Sequence, residues 1–320
     1  MYSHKVLKRF VKDYSLPIQI VQEPYFTYFV ELYNEQYKTK EKLNLLDKAL
    51  ENFNSDEEFL AEYYKIRDNI IKTIEATDVY QEYNTMKLDK YTVPNNGYPK
   101  HDIFNMGNVN KYFMSIDLKK ANFQALKWFN PEIVLNCESY AELLGKFTDL
   151  EYMKESKYLR QVIFGNMNPK RQVKLERYIT EQILNYLLTT PFFIETDIRM
   201  VSNDEIIFEI SHEDSLCIMT DKLINDIKNN LNFDVDIETF KLNNIEGSTK
   251  FFVKEFKNKN GYELMCIPLV YHSQIYKKYN DLPMEDNDLL FYYENQVCKF
   301  INPLKFESEE FDNEYSADER

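Results

Sequence analysis

The 320-residue sequence is poor in glycine, cysteine and tryptophan, with six, four and one of each. The cysteines are widely spaced and form no CxxC pair, which argues against a zinc site and a disulfide framework. We therefore expect reduced cysteines in the protein core. No apolar run reaches the length of a membrane span, and the N-terminus lacks the apolar core of a signal peptide. These absences predict a cytoplasmic protein with no membrane partner, in the host cytoplasm if the source is a virus.

Aromatic residues are abundant, with 25 Tyr and 23 Phe, beside many Lys, Asn, Ile and Glu. This bias favours an AT-rich genome such as that of a phage or another virus, although composition alone does not decide it. A chain of this length can bury a sizeable core in one large domain or two small ones. The net charge of −14 argues against nucleic-acid binding by the whole surface, but it leaves room for a local basic channel.

Two stretches carry an acidic residue where a hydrophobic strand ends. Residues 112–116 have the composition of a strand and are followed directly by Asp117, after which the apolar spacing becomes helical. About 80 residues later, two short apolar runs flank a turn with Asp204 and Glu205, which predicts a hairpin. Two such carboxylates can hold a pair of Mg²⁺ ions for phosphoryl transfer. Acidic residues in these positions are also common on protein surfaces, so spacing alone leaves both interpretations open.

A resemblance to a known family favours the first interpretation. SIDLKKANFQAL resembles motif A of the family A DNA polymerases, and VSNDEIIFEI resembles their motif C, within about residues 100–215. The resemblance implies that Asp117 and Asp204 are metal ligands and that Glu205 is the acidic neighbour of the second. It also implies that the backbone carbonyl of Leu118 is a ligand and that Mg²⁺ or Mn²⁺ is the cofactor.

Two positions depart from the family pattern. Asn122 stands where motif A has a Glu that packs under the sugar, and Asn203 stands where motif C has a His. The first departure puts the exclusion of ribonucleotides in doubt. We predict that Asn122 lies beneath the sugar of the incoming nucleotide.

A basic segment lies between the two acidic motifs. Residues 154–177 contain seven basic and two acidic side chains, a net charge of +5 in an acidic chain. Within it, KYLRQVIFGN resembles an eroded motif B, the helix that holds the incoming nucleotide in the family. Lys170, Lys174 and Arg177 share a helix face by spacing. A solvated basic helix is the alternative interpretation. The predicted nucleotide-binding residues are Asn122, Lys157, Arg160, Lys170, Arg171 and Lys174.

The order of patterns predicts an α+β fold with a polymerase-like palm, an antiparallel sheet with helices, after a helical N-terminal region. We predict a thumb-like helical region and linker over 1–99 and the palm over 100–305. A short fingers insertion occupies about 131–190, with helices over 138–147, 152–164 and 169–188. A short helix around Lys277 is expected to keep its lysines in solvent. Residues 306–320, with seven acidic side chains against one Arg, are predicted to be a disordered tail.

These patterns lead to the hypothesis of a template-directed nucleotidyltransferase. Its partners would be a nucleic-acid template and primer and a nucleoside triphosphate, with Asp117 and Asp204 holding two divalent metals. One alternative is a catalytically inactive polymerase-like subunit of a replication or transcription complex, joined to a further protein subunit. The missing Glu and His favour that alternative, and the retained acidic positions disfavour it. Another alternative is an RNA-synthesising relative, because Asn122 removes the usual barrier to ribose.

Overall fold

The structure is a computed structural model, and it describes residues 2–94, 97–99, 103–210 and 216–305, with the backbone alone for 216–219. The fold is mixed α+β with an antiparallel sheet, as the sequence predicted. The acidic tail predicted over 306–320 lies outside the described residues. No helix among the described residues is both long and apolar enough to cross a membrane.

Six α-helices occupy residues 2–94, in the region predicted to be helical. They are α1 (His4–Asp13), α2 (Tyr25–Leu32), α3 (Asn34–Tyr37), α4 (Thr39–Leu50), α5 (Asp56–Glu75) and α6 (Asp78–Thr85). Three of them begin at a residue whose side-chain oxygen accepts a hydrogen bond from the backbone three residues on, at Ser3, Ser55 and Thr77. These N-caps fix where the helices start, because they satisfy amide groups that have no partner within the helix.

The main sheet has six antiparallel strands among the described residues. They are β1 (Tyr112–Leu118), β2 (Ile198–Val201), β3 (Glu205–Ile210), β4 (Val235–Asn244), β5 (Phe252–Phe256) and β6 (Tyr262–Met265). Their order across the sheet is β2-β3-β1-β4-β5-β6, so β1 is central and pairs with both β3 and β4. A separate hairpin is formed by β7 (Leu290–Tyr293) and β8 (Gln296–Lys299). The hairpin predicted from sequence around Asp204 and Glu205 is confirmed as β2-β3.

The remaining helices follow β1, and several of them cover one face of the sheet. They are α7 (Ala121–Phe129), α8 (Tyr140–Gly145), α9 (Glu151–Glu155), α10 (Lys157–Gly165), α11 (Pro169–Leu188), α12 (Leu216–Leu231) and α13 (His272–Tyr279). Side chains alternate between the two faces of a strand. Met114 and Ile116 therefore belong to the main core with α7 and α11, whereas Phe113 belongs to a smaller core on the opposite face.

The main core is continuous from the N-terminal helices to the sheet. Helix α5 packs against α10, α4 packs against α9, and α1 also contacts α10. The helices predicted as thumb-like are thus packed directly on the segment predicted as fingers.

Three local predictions differ from the structure. The helix predicted over 152–164 is divided into α9 and α10 at Ser156, whose side chain caps the second helix. Of the cysteines, Cys137 is buried, but Cys298 is half-buried and Cys266 is exposed. Lys277 is not in solvent, because it is buried between Asp288 and Glu285, at 2.9 and 2.7 Å.

Candidate active site

The register of the central strand brings acidic residues together at one end of the sheet. Asp117 lies directly opposite Glu205 of β3 on one side and Asp236 of β4 on the other. Side chains of opposed residues project from the same face of an antiparallel sheet. Asp204 occupies the adjoining turn, and its carbonyl accepts a hydrogen bond of 2.8 Å from the Leu118 amide. Asp117, Asp204 and Glu205, named from sequence, are therefore neighbours, although Asp117 lies within β1 and not after it.

Short polar contacts hold the turn between β2 and β3. Ser202 donates to a carboxylate oxygen of Asp204 at 3.2 Å, and its hydroxyl accepts from the Glu205 amide at 3.0 Å. Ser115, buried two residues before Asp117, donates to Oε1 of Glu205 at 2.5 Å. These bonds orient the Asp204 and Glu205 carboxylates without a positive charge.

Helix α11 docks onto the same turn. Thr180 donates from its hydroxyl to the carbonyl of Asn203 at 2.8 Å, and Asn203 itself is exposed. One turn earlier in the helix, Glu176 is only 9% exposed. Burial, followed by the negative charge of Asp204, raises the pKa of Glu176 to about 7. Glu176 is thus a further carboxylate beside Asp204, although it lies in the segment that the sequence showed to be rich in positive charge.

The electrostatics of Asp117 are strongly perturbed. Burial, and then the negative charges of Asp204, Glu205, Asp236 and Glu238, raise the pKa of Asp117 to about 7. In the described part of the chain, no cationic side chain lies within ion-pair distance of Asp117 or Asp204. An uncompensated negative cluster of this kind favours a bound cation, because a cation offsets both the burial and the repulsion.

Two further acidic residues on this face, Asp236 and Glu238, are compensated by lysines. Lys119 pairs with Asp236 at 2.8 Å, and Lys254 and Lys259 pair with Glu238 at 3.2 and 2.6 Å. Burial opposes ionisation of Glu238, but the two ammonium groups outweigh it and hold its pKa below the usual range. The unneutralised charge is therefore concentrated at Asp117, Asp204 and Glu205.

No three His, Cys, Asp or Glu side chains within the described ranges converge into a ready metal centre. The donors present fit Mg²⁺ in another way, since Mg²⁺ usually takes one or two carboxylates and completes its shell with waters and substrate oxygens. Asp117 and Asp204 are suitable carboxylates, and the role of the Leu118 carbonyl stays a prediction.

Two cations lie on the helices near the end of β1 that carries Asp117. Arg160, at the first turn of α10, is half-buried, and its Nε atom is buried with no hydrogen-bond partner among the described residues. Burial lowers its pKa, against the opposing influence of the Tyr140 hydroxyl and the Asp117 carboxylate. Lys120, three residues after Asp117, has its Nζ 5.9 Å from the centre of the Tyr140 ring. Burial, and then the charge of Arg160, lowers the pKa of Lys120.

Lys120 and Arg160 therefore repel each other, and neither is in an ion pair in the described part of the chain. The Tyr140 hydroxyl beside them is buried and also has no partner there. Two unpaired cations with an unused hydroxyl and an unused guanidinium nitrogen form a site that fits an anion such as a phosphate.

The other predicted nucleotide-binding residues lie elsewhere on the helices. Lys157 and Lys170 are exposed. Lys174 is half-buried, and at 100° per residue it lies roughly opposite Glu176 around α11. Arg171 donates to the Met86 carbonyl at 2.6 Å and stacks on Tyr83, so it is engaged with the N-terminal region. The structure brings Arg160 toward the carboxylates, and the role predicted for the others stays a prediction.

Asn122 lies in the first turn of α7, five residues beyond Asp117, and is half-buried. Its side-chain oxygen accepts a hydrogen bond of 2.9 Å from the Phe123 amide. This contact occupies the carbonyl end of the amide. The NH₂ end has no partner among the described residues.

The site also contains five residues that were not predicted from the sequence: Asp236, Glu238, Glu176, Lys120 and Tyr140. For two of them a signal was present, because VDIE in residues 235–238 alternates apolar and acidic residues with the period of a strand. That alternation places both acidic side chains on one face of β4, although it does not say which strand lies beside it.

No family model matches this chain, and no curated protein or solved structure matches it significantly. The function is therefore inferred from the geometry and chemistry of the site.

Proposed function

We propose that this protein is a template-directed nucleotidyltransferase with a polymerase-like palm. The observation that carries the proposal is the register of β1, in which Asp117 lies opposite Glu205 and beside the turn that contains Asp204. Two-metal phosphoryl transfer needs carboxylates from separate strands at one place on a rigid support. The partners proposed are a template, a primer and a nucleoside triphosphate.

Asp117 and Asp204 are the residues that would hold two Mg²⁺ or Mn²⁺ ions, and Glu205 would support the second position. Bound at this place, the ions would polarise the reacting phosphate and stabilise the attacking and leaving oxygens. The chain contributes the orientation of the ligands, since Ser202 contacts Asp204 and Ser115 contacts Glu205. It also contributes the concentrated negative charge that would attract the ions.

Arg160 and Lys120 would bind the triphosphate of the incoming nucleotide. Their positive charges would stabilise the negative charge that develops on the departing pyrophosphate in the transition state. The unpartnered Nε of Arg160 and the unpartnered Tyr140 hydroxyl support this assignment, because both could donate to phosphate oxygens.

A preference for ribonucleotides is a second candidate, favoured by the contact pattern of Asn122. Its carbonyl end is occupied by the Phe123 amide, so its NH₂ end is available to a 2′-hydroxyl. An RNA-synthesising enzyme is therefore compatible with the same catalytic site.

Primer extension tests the proposal. Wild-type protein is incubated with a primed template and with dNTPs or NTPs, each with Mg²⁺ or Mn²⁺. We expect templated extension, and we expect Asp204→Asn to lose it while its circular dichroism spectrum stays unchanged. An Asp204→Asn protein that extends primers would place the chemistry elsewhere. No extension under any of these conditions would favour a catalytically inactive subunit that works with another protein.

A further inference from the structure

A fully buried carboxylate lies at the junction between the N-terminal helices and the segment that carries Arg160. Asp13, the last residue of α1, has no exposed surface. One of its oxygens accepts from the Tyr63 hydroxyl at 2.7 Å and the Ser156 hydroxyl at 2.8 Å. The other accepts from the Tyr152 hydroxyl at 2.6 Å. We call these four residues the Asp13 cluster.

The donors of the Asp13 cluster come from three separate segments. Tyr63 is on α5, Tyr152 is on α9, and Ser156 is the residue between α9 and α10. All four residues are at most 1% exposed. Burial raises the pKa of Asp13, although its three hydroxyl donors and the nearby Arg9 act in the opposite direction.

A buried carboxyl group without an ion-pair partner is weak evidence for stability, because an apolar junction of the same shape can be as stable. Directional hydrogen bonds to one carboxylate do fix the relative positions of the segments that donate them. The Asp13 cluster is therefore better suited to holding α9 and α10 in place than to strengthening the core.

Ser156 connects the Asp13 cluster to the start of α10. Its hydroxyl oxygen donates to Asp13 and accepts a hydrogen bond of 2.9 Å from the Leu159 amide, which is the N-cap contact of the helix. Arg160 follows Leu159 in the same first turn. A shift of Ser156 would therefore move the start of α10 and, with it, the guanidinium that lies toward Asp117.

We propose that Asp13 is a positioning residue for nucleotide binding, which acts through Ser156 to hold Arg160 at the triphosphate site. This inference rests on the proposed function, because it takes Arg160 to bind the triphosphate. It gives the N-terminal region a role as a fixed support for α10.

The test compares Asp13→Asn and Ser156→Ala with wild type. Affinity for ATP and dATP is measured by calorimetric titration in Mg²⁺ without primer, and KM and kcat are measured by primer extension. We expect both variants to weaken nucleotide binding and raise KM about tenfold, the cost of one misplaced charged hydrogen bond, with kcat within about twofold of wild type. The double variant should bind nucleotide no more weakly than either single variant, since both changes break the same hydrogen bond between Asp13 and Ser156.

Asp288→Asn is the matched control. Asp288 is the other fully buried carboxylate among the described residues, and it also accepts from a tyrosine hydroxyl, that of Tyr28 at 2.8 Å. Its further partners are Lys277 at 2.9 Å and the Glu285 amide, so its contacts do not include α10. We expect this variant to lose thermal stability while it keeps wild-type nucleotide affinity.

The outcomes are separable. Weaker binding in Asp13→Asn and Ser156→Ala, but not in Asp288→Asn, supports the positioning role. Equal nucleotide affinity in wild type and Ser156→Ala, or equal losses in all three variants, overturns it while the proposed function stands. If wild type binds neither ATP nor dATP, the proposed function and this inference both fail. Should Asp13→Asn not fold, Ser156→Ala and Tyr152→Phe decide the question.

Discussion

Asp117 on β1 lies directly opposite Glu205 on β3, and both side chains project from the face of the sheet that the helices do not cover. Ser115, one position along the same face, donates its hydroxyl hydrogen bond to Glu205 and not to Asp117. Asp117 is thus left with burial and four neighbouring negative charges, and its pKa rises to about 7. The ionised Asp117 carboxylate destabilises the metal-free fold, and a bound cation would offset this cost.

We expect Asp117→Asn to abolish primer extension and to stabilise the metal-free protein. The neutral amide keeps the shape of the carboxylate and removes its repulsion with Asp204 and Glu205. Thermal melts in EDTA at pH 8 measure the effect, and Glu209→Gln is the control because its carboxylate is paired with Lys111 and Arg199 and is not among the charges that act on Asp117. A lower melting temperature for Asp117→Asn than for wild type would contradict this account of the site.

The raised pKa of Asp117 predicts how metal binding depends on pH. A proton on Asp117 competes with the metal, so Mg²⁺ should raise the melting temperature of the wild type more at pH 8 than at pH 6. Asp204→Asn should lose most of the Mg²⁺ effect at both values. A stabilisation by Mg²⁺ that is the same at both pH values, or that survives in Asp204→Asn, would place the metal somewhere else.

Glu176 predicts a pH dependence of stability. Its pKa is raised from 4.5 to about 7 in the folded state, so the folded protein keeps a proton that the unfolded chain has released. The stability this provides is complete below about pH 4.5 and is lost as the pH rises through 7. Glu176→Gln should flatten this part of the curve and be more stable than wild type at pH 8, by on the order of 3 kcal/mol. Urea denaturation from pH 5 to 8 measures it, and parallel curves for the two proteins would show that Glu176 ionises normally.

The two cations of the proposed triphosphate site can be tested against exposed lysines of the same basic segment. Lys120→Ala and Arg160→Ala should each weaken ATP or dATP binding about tenfold or more, because each removes a charged contact to phosphate. Lys170→Ala is the control, since Lys170 is exposed at the start of α11. Calorimetric titration at several salt concentrations measures both affinity and its salt dependence. Equal effects of Lys120→Ala and Lys170→Ala would mean that the whole basic segment acts through its net charge.

Local sequence patterns predicted the parts of the site that depend on neighbouring residues. Strand composition and a polar turn placed Asp117 and Asp204 at strand ends, and the family resemblance selected them as site residues. The hairpin between β2 and β3 followed from short-range signals. Asp236 was missed because its position depends on the pairing of β4 with β1, about 120 residues apart, which no local pattern encodes.

The break at Ser156 was missed for a related reason. Apolar spacing is continuous from Tyr152 to Phe164, so periodicity indicates one helix. The division depends on Ser156 turning its hydroxyl to Asp13, which is 143 residues away in sequence. Such a contact exists only once the N-terminal helices have packed against the rest of the core.

Asn122 distinguishes between the proposed functions at a single position. If its NH₂ end contacts the sugar, the 2′-hydroxyl of a ribose can accept a hydrogen bond from it. A deoxyribose leaves the NH₂ group without a partner. Wild type should then incorporate NTPs more readily than Asn122→Glu does, because the longer, charged side chain would exclude the 2′-hydroxyl. The ratio of kcat/KM for an NTP and its dNTP measures the effect, with Asn203→His as a control that changes the other departure from the family pattern. The same ratio in wild type and Asn122→Glu would show that Asn122 does not contact the sugar. Its hydrogen bond with the Phe123 amide would then point to a structural role.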